Sequence, residues 1–577
     1  MHYFLYALLA VFIPISANSQ LFDPPNYPKG YFRNPLSIPI DLSGNFGELR
    51  PNHYHMGLDL KTKARENQPV YAAADGYISR IKIEPSGFGR AIYINHPNGY
   101  TTLYAHLNNF NPSLELWLKQ QQYQLESWKV FLDLPPDLFP LKKGDFIAYS
   151  GNTGGSQAPH LHFEIRRTAD DVNVNPMLFG FPLTDNTKPR ILRMAIYDRR
   201  KSIYEQSPRL IPVKAGPAGS YVSTIPVITV SSPIISLAIT AFDTHTGSSN
   251  ANGIYESVLY VDDEAQIAFR MDNISYNNTR YLNAHIDYKT KAAGGSFLQH
   301  LSELPGFLNS IYKKGTGNGI IDLSDGKVHT VKIEVSDAYQ NKSYLTTKLK
   351  WSGTYSQLPT PNLPAGQAGS RLFYPLMLDG FETDACEFFI GERCLYDSVH
   401  IRYNQLAATS QLAVSALHAI GQSYIPLQEA FLIRIKPNQT LSMALKSKTV
   451  MQWYAGSKKD IQKVEWQQDW AAARFRDFGF YQLLIDTLAP QVVTVGFADG
   501  ANLSKASRIV FTVKDNLDKV KNVRAELDGK WLRFTNDKGR NYIYRFDEKC
   551  LSGSHELKIT AEDEAGNRVE RVIRFTR

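Results

Sequence analysis

A chain of 577 residues has room for roughly four domains at about 150 residues each, which excludes a lone small module. Its 43% hydrophobic and 20% charged residues are ordinary for globular domains that bury cores, and 12% aromatic residues favour β-structure, where flat side chains pack across a pleated face. The net charge of +8 is spread along the chain with no basic run, which fits an anionic envelope or cell wall and is too dilute to argue for nucleic acid.

The chain opens on an apolar run from Tyr3 to Ile13, far short of the ~20 residues that span a bilayer. Ala17-Asn18-Ser19 follows as a small-residue cleavage site, so 1–19 is expected to be a signal peptide and Gln20 the mature terminus. The n-region departs from type in carrying His2 but no Lys or Arg. No cysteine follows the run, which speaks against a lipid anchor, and no later segment reads as transmembrane. The expected destination is the periplasm or the extracellular space.

From Gln20 to about residue 185 strand-like runs alternate with glycine turns, as in Gly76–Ile83 and Ala91–Ile94, and Asn98-Gly99 marks a hairpin. Leu114 to Trp128 breaks the pattern and predicts a helical insertion at about 111–138. Residues 186–352 and 487–577 carry an internal repeat. His329-Thr-Val-Lys-Ile-Glu-Val-Ser-Asp337 matches His555-Glu-Leu-Lys-Ile-Thr-Ala-Glu-Asp563, Leu237–Asp243 matches Ile509–Asp515, and Val258–Asp262 matches Val523–Asp528. Three blocks in one order imply two copies of one β-sandwich, the first with an insertion at roughly Ser275 to Lys314. Residues 353–371 are rich in Pro and Gly and read as a linker, and 372–486 alternate like β-structure without a recognisable motif. The expected fold class is mainly β throughout. Cys386 and Cys394 either bridge neighbouring strands, leaving Cys550 unpaired, or all three are isolated small hydrophobes; both readings stand.

The chemistry concentrates early, since six of the 14 histidines fall between residues 53 and 162. Side chains at i and i+2 of a strand share a face, so His160 and His162 can point into one cavity. His55 and Asp59, four apart, also lie on one side. Two imidazoles and a carboxylate make a three-ligand zinc site with one position open for water. Zinc lowers that water's pKa toward ~7 and polarises a carbonyl. A further histidine nearby serves as acid or base, or stabilises an oxyanion, and His106 is the candidate.

These residues resemble the lysostaphin/LytM family of zinc endopeptidases, which cut peptide cross-links of bacterial peptidoglycan. The likeness covers 47–166: His55-Met-Gly57-Leu-Asp59, then Leu103-Tyr-Ala-His106-Leu107, then the glycine-rich turn leading to Pro159-His160-Leu-His162-Phe-Glu164. It implies a lysostaphin-type β-sheet peptidase domain over 20–185 and one zinc ion per chain on His55, Asp59 and His162. His106 and His160 would be the two non-ligand catalytic histidines, and a peptidoglycan peptide the substrate. The second repeat copy, with its Asp563-Glu-Ala-Gly-Asn567 turn, resembles bacterial immunoglobulin-like domains, whose role would be contact with wall or envelope. The helical insertion departs from short-loop members and is a candidate to cap the groove.

Plainer readings accompany the neighbours. His53 is expected on the groove rim, His96 in a structural turn, and Glu48 and Arg50 as surface charge. His329 and His555 recur with the repeat and so belong to a fold position. Asp337 and Asp563 are expected to cap turns, a calcium role having no cluster in the sequence behind it. Trp453, Trp466 and Trp470 are expected in the core rather than on a glycan-stacking surface. Two other functions compete: a catalytically silent wall-binding scaffold or activator, which predicts a damaged site, and a non-haem iron oxygenase, which shares the two-His, one-carboxylate set.

Overall fold

The computed structural model describes residues 21–354, 369–539 and 541–577. The expected signal peptide, and residues 355–368 of the expected linker, lie outside the described residues. The fold class is mainly β, as the aromatic content and alternating patterns predict.

The N-terminal region is organised on one twisted antiparallel sheet whose path runs Leu42–Gly44, Leu58–Lys61, His160–Arg167, Tyr100–Ala105, Arg90–Asn95, Gly76–Ile83 and Val130–Asp133. The Asn98-Gly99 hairpin forms as predicted, with Gly99 at φ 81°. A smaller sheet of Pro69–Tyr71, Phe146–Ser150 and Leu107–Phe110 packs with it around Val70, Ile78, Ile92, Tyr104, Ile147, Leu161 and Phe163, all at or near zero exposure. One chain segment serves both sheets. Tyr100–Ala105 ends in the large sheet, Leu107–Phe110 starts in the small one, and His106 between them takes φ 59° to turn the corner.

The insertion is helical only over Pro112–Gln124. Asn111 caps it by accepting from the Leu114 amide, and Leu114, Leu118 and Gln122 form its buried stripe. The β-favouring run Val130–Asp133 then pairs with Gly76–Ile83 as an edge strand, which corrects the expectation of a fully helical insertion. None of the residues lining the groove described below comes from the insertion. The helix instead docks the end of the chain: Tyr123 stands edge-on to Trp531 at 5.3 Å, Lys119 pairs with Asp547 and Glu548, and Arg533 donates to Gln122.

Residues 190–351 build a sheet system of twelve strands, 370–485 fold as a six-stranded and a five-stranded sheet, and 491–576 as a three-stranded and a five-stranded sheet. The repeat is visible at atomic detail. His329 Nδ1 faces Asp262 Oδ2 at 2.6 Å and His555 Nδ1 faces Asp528 Oδ2 at 2.7 Å. The two histidines therefore hold a fold position. Cys386, Cys394 and Cys550 are buried free thiols, which decides for the plainer of the two cysteine readings. Trp453 is buried, with its indole N–H donating to the Phe478 carbonyl, while Trp466 and Trp470 are half-buried under lysine and arginine side chains.

The N-terminal region is not self-contained. Asn173–Val174 pairs with Asn273–Ile274 of the next region, so one sheet crosses the boundary. Phe46, Tyr54 and Met56 pack in the core of residues 191–349 rather than in the N-terminal core. Burial of a side chain such as Met56 stabilises by about 1.5–3 kcal/mol. A chain ending at Asp185 exposes these three side chains. Hydrogen exchange of that fragment is expected to lose protection across residues 45–56 while Gly76–Ala105 stays protected; equal protection in fragment and full chain would show that the N-terminal region forms the 45–56 segment unaided.

Candidate metal centre

Strand register creates the site. In the pairing of Leu58–Lys61 with His160–Arg167, Asp59 stands directly across from His162 and Lys61 across from His160. His55 enters from the loop before Leu58. Gly57 lets that loop close against the sheet, since a Cβ there would lie 2.4 Å from the Phe163 carbonyl oxygen and 3.1 Å from the His162 ring.

Three atoms converge. Asp59 Oδ1 lies 3.0 Å from His55 Nε2 and 2.9 Å from His162 Nδ1, and the two nitrogens are 3.1 Å apart. All three residues are buried. The far nitrogen of each imidazole is already committed: His55 Nδ1 donates to the Asn45 carbonyl at 2.8 Å, and His162 Nε2 donates to Glu164 Oε1 at 2.9 Å. The near nitrogens are thereby aimed at a carboxylate oxygen, that of His55 as a lone pair and that of His162 as one once its proton is displaced. A cation between them removes the repulsion, and a nitrogen–nitrogen–oxygen set with committed outer nitrogens is the arrangement of a zinc site. The residues present fit that ion.

The electrostatics agree. Burial pushes His55 down to about 4, so its ring is neutral and able to ligate. Burial also opposes a proton on His162, but hydrogen bonds to Asp59 and Glu164 outweigh it and push the ring up to about 9. A metal ion takes the place of that Nδ1 proton. Burial alone would raise Asp59, yet the pull of His55 and the bonds from His160 and His162 hold it well below the usual carboxylate range. Its second oxygen is not idle, because Arg50 Nη2 reaches Oδ2 at 2.5 Å. Arg50 is thus part of the site and, with its partner Glu48, lines the groove, which corrects the reading of both as surface charge.

His106 and His160 flank the cluster. Their rings are 4.8 Å apart, and His106 is 5.9 Å from the His162 ring. His106 Nδ1 donates to the Thr153 carbonyl at 2.9 Å, and His160 Nδ1 donates to the Ala158 carbonyl at 2.8 Å. Carbonyls only accept, so each ring donates from Nδ1, and the Nε2 of His160 lies 3.3 Å from Asp59 Oδ1. Burial, with the neighbouring His162 and His160, pushes His106 down to about 3, which keeps it neutral. All five predicted residues therefore meet in one place. His53 sits on the groove rim as expected, and His96 lies buried between the Asp75 carbonyl and Thr102. The groove, of about 930 Å³, is lined by Ile38, Asp41, Ser43 and residues 155–160 among others.

Four supporting residues, Glu164, Tyr276, Asn45 and Gly253, escaped the sequence reading. Glu164 was visible two residues after His162, but its role was not. It is fully buried and is held by Arg166, Asn173 and, from the next region, Tyr276, whose hydroxyl donates to Oε1 at 2.6 Å. Asn45 is clamped by Gly253, donating to its carbonyl at 2.8 Å and accepting from its amide at 2.9 Å. No sequence signal links Tyr276 to residue 164 or Gly253 to residue 45.

Residues 53–123 match Peptidase family M23. The chain carries an M23 peptidase domain. Residues 375–486, for which the sequence offered no motif, match the Zu5-like domain. An uncharacterized metalloprotease of Haemophilus influenzae is 32% identical over 167 residues, 27% of this chain and 29% of that protein. The DD-carboxypeptidase/endopeptidase Mpg of Neisseria meningitidis is 32% identical over 165 residues, 28% of this chain and 32% of that one. Among solved structures, the catalytic domain of the antimicrobial peptidase lysostaphin from Staphylococcus simulans aligns at 25% identity and TM-score 0.18, covering 23% of this chain and 87% of that one. This chain spans about a third of the length of these curated relatives.

Because Tyr276 reaches the M23 site from outside the M23 domain, its hydroxyl can be removed without touching that domain. Tyr276→Phe removes a donor from Glu164 rather than the histidine's own partner, so it is expected to weaken zinc binding by less than the about 10–100-fold that loss of a direct outer partner costs. Competition with a chelating dye on the full chain measures it. An unchanged Kd would mean that Arg166 and Asn173 position Glu164 without help.

Proposed function

We propose that this chain is an exported zinc metalloendopeptidase that hydrolyses peptide bonds in peptidoglycan cross-links. The observation that carries the proposal is the pair of histidines, His106 and His160, each donating from Nδ1 to a backbone carbonyl beside three converging ligand atoms on one open groove. His55, Asp59 and His162 would hold the ion. When bound, zinc supplies a water of lowered pKa and a Lewis acid for the scissile carbonyl.

The chain's own residues do the rest. Asp59 would offer Oδ1 to the ion, while Arg50 holds Oδ2 and so fixes the carboxylate's orientation. Glu164 fixes the His162 ring by accepting from Nε2. The Nε2 of the neutral His106 ring is an acceptor for a proton from the attacking water, and the Nε2 of His160, 3.3 Å from Asp59 Oδ1, faces the same place. Once protonated, either ring can stabilise the oxyanion or return the proton to the leaving amine. The depressed basicity of His106 suits a group that gives its proton back readily. The groove carries both signs, Arg50 and Lys61 facing Asp41 and Glu48, as a zwitterionic stem peptide requires. The relatives' names point the same way, with the Vibrio cholerae protein called peptidoglycan DD-endopeptidase ShyA aligning at 25% identity. The intact five-residue set argues against the silent scaffold.

Digestion of purified sacculi, followed by mass spectrometry of released muropeptides, tests this. Wild-type protein is expected to convert cross-linked dimers to monomers, and a chelator to abolish the conversion. His106→Ala and His160→Ala are expected to keep zinc and lose about 10²–10⁴-fold in kcat/KM, whereas Asp59→Ala loses the zinc itself. A zinc-loaded wild type that releases no fragment from sacculi of several chemistries would overturn the proposal.

A further inference from the structure

The two repeat copies share a second feature besides their His–Asp pair. In the first copy Asp185, Asp243 and Asp337 bring one carboxylate oxygen each within 4.8 Å of the others, and in the second Asp486, Asp515 and Asp563 do the same. The repeat alignment equates Asp243 with Asp515 and Asp337 with Asp563. The third member is in each case the residue at which the chain enters the copy. The surroundings recur as well. Asn341 donates its side-chain amide to Asp337 Oδ2 at 2.7 Å and to the Asp185 carbonyl at 3.1 Å; Asn567 donates to Asp563 Oδ2 at 2.8 Å and to the Asp486 carbonyl at 2.9 Å.

Carboxylates whose oxygens are all taken by N–H groups need no ion, but here some are not taken. Asp243 is only 3% exposed, and its Oδ1 is buried with no hydrogen-bond partner. The same atom of its counterpart Asp515 is also without a partner, and Asp185, 6% exposed, leaves Oδ2 unpaired. Orphaned buried carboxylate oxygens are costly, and a cluster that places them in the same position twice has a use for them. Burial, with Asp337 and Asp185 alongside, pushes Asp243 up to about 8, as expected where like charges face each other without compensation.

We propose that each cluster binds a hard divalent cation of the calcium class, one where the chain enters each repeat copy. The donor set is oxygen only, which suits calcium or magnesium rather than a nitrogen- or sulfur-seeking metal. Calcium tolerates the irregular, carboxylate-rich shell that loop and strand-end residues provide, whereas magnesium demands near-ideal octahedral geometry. The ion ties the incoming chain to two strand ends at once. At the first site it also steadies the loop from Asp243 to Gly253, whose last residue clamps Asn45 behind His55. Asp515 is less buried than Asp243, which predicts the weaker binding at the second site.

Equilibrium dialysis of the full, zinc-saturated chain against radioactive calcium at roughly 0.1–1 mM, the range of extracellular calcium modules, reads the stoichiometry directly. Two calcium ions per chain are expected. Asp243→Asn and Asp515→Asn should each bind one, and the double variant none. Thermal denaturation supplies the second readout: calcium raises the wild-type transition and leaves the double variant's unmoved. If a variant does not fold, Asp337→Asn or Asp563→Asn replaces it. The proposal is overturned if wild type binds no calcium and Asp243→Asn raises thermal stability equally with and without the ion, since the carboxylates then only share a proton.

Discussion

Everything around the groove serves one electrostatic demand, that two imidazole lone pairs and a carboxylate oxygen stay about 3 Å apart without a proton between each pair. No single strand meets it. Asp59 and His162 arrive as a cross-strand pair, where antiparallel register fixes them cheaply, but His55 lies on a loop and must be held from behind. The Asn45 carbonyl holds its ring, Gly253 holds Asn45, and Tyr54 and Met56 on either side of His55 are buried in the next region's core. The third ligand position is therefore as stable as the junction between two domains.

The same dependence recurs on the other side of the centre. Glu164 is a fully buried carboxylate whose charge is sustained by Arg166, His162, Asn173 and Tyr276. Removing one partner from such a network costs more than a surface contact, because a buried charge is left short of a bond. Tyr276 is about 38% exposed, yet its hydroxyl turns inward onto Glu164, so the second region contributes an atom to the centre's support while most of its own surface faces elsewhere. The region around the site and the region after it pack as one structural unit on these grounds.

The legibility of the sequence follows the range of the interactions. His55, Asp59, His106, His160 and His162 could be found because local period and motif order place them: i,i+2 on a strand, i,i+4 across a loop, a glycine between. The repeat was readable because strand alternation ends at the same Asp in each block. The edge strand Val130–Asp133 was missed because its apolar run follows a helix without a glycine break, and only pairing with Gly76–Ile83 reveals it. Arg50 was misassigned because its partner Asp59 lies on another strand, and charge alone cannot separate a surface arginine from one aimed at a carboxylate. The carboxylate clusters needed three segments from each copy, the first of them 58 to 152 residues distant in sequence in the first copy, so neither Asp337 nor Asp563 could reveal a cluster.

The end of the chain gives the last step. The glycine-rich turn before His160 is a close contact of two glycine loops: a Cβ at Gly154 would lie 2.3 Å from the Gly89 amide nitrogen. Thr153 ties the turn down by donating to the Leu107 carbonyl and accepting from the Arg90 amide, and the Thr153 and Ala158 carbonyls within the turn accept from Nδ1 of His106 and His160. The C-terminal region adds a further anchor. Asp537 accepts from the Gly154 amide at 2.9 Å, and Lys538 donates to the Ser156 carbonyl. Its contacts with the insertion helix include partly exposed ion pairs worth up to about 1 kcal/mol each, one aromatic edge worth ~0.5–1.5 kcal/mol and the hydrogen bond from Arg533 to Gln122. No one of them dominates, so the brace on the turn rests on their sum. The helical insertion is thus explained by what it carries: it is the platform that brings the last domain back to the turn on which both histidines depend.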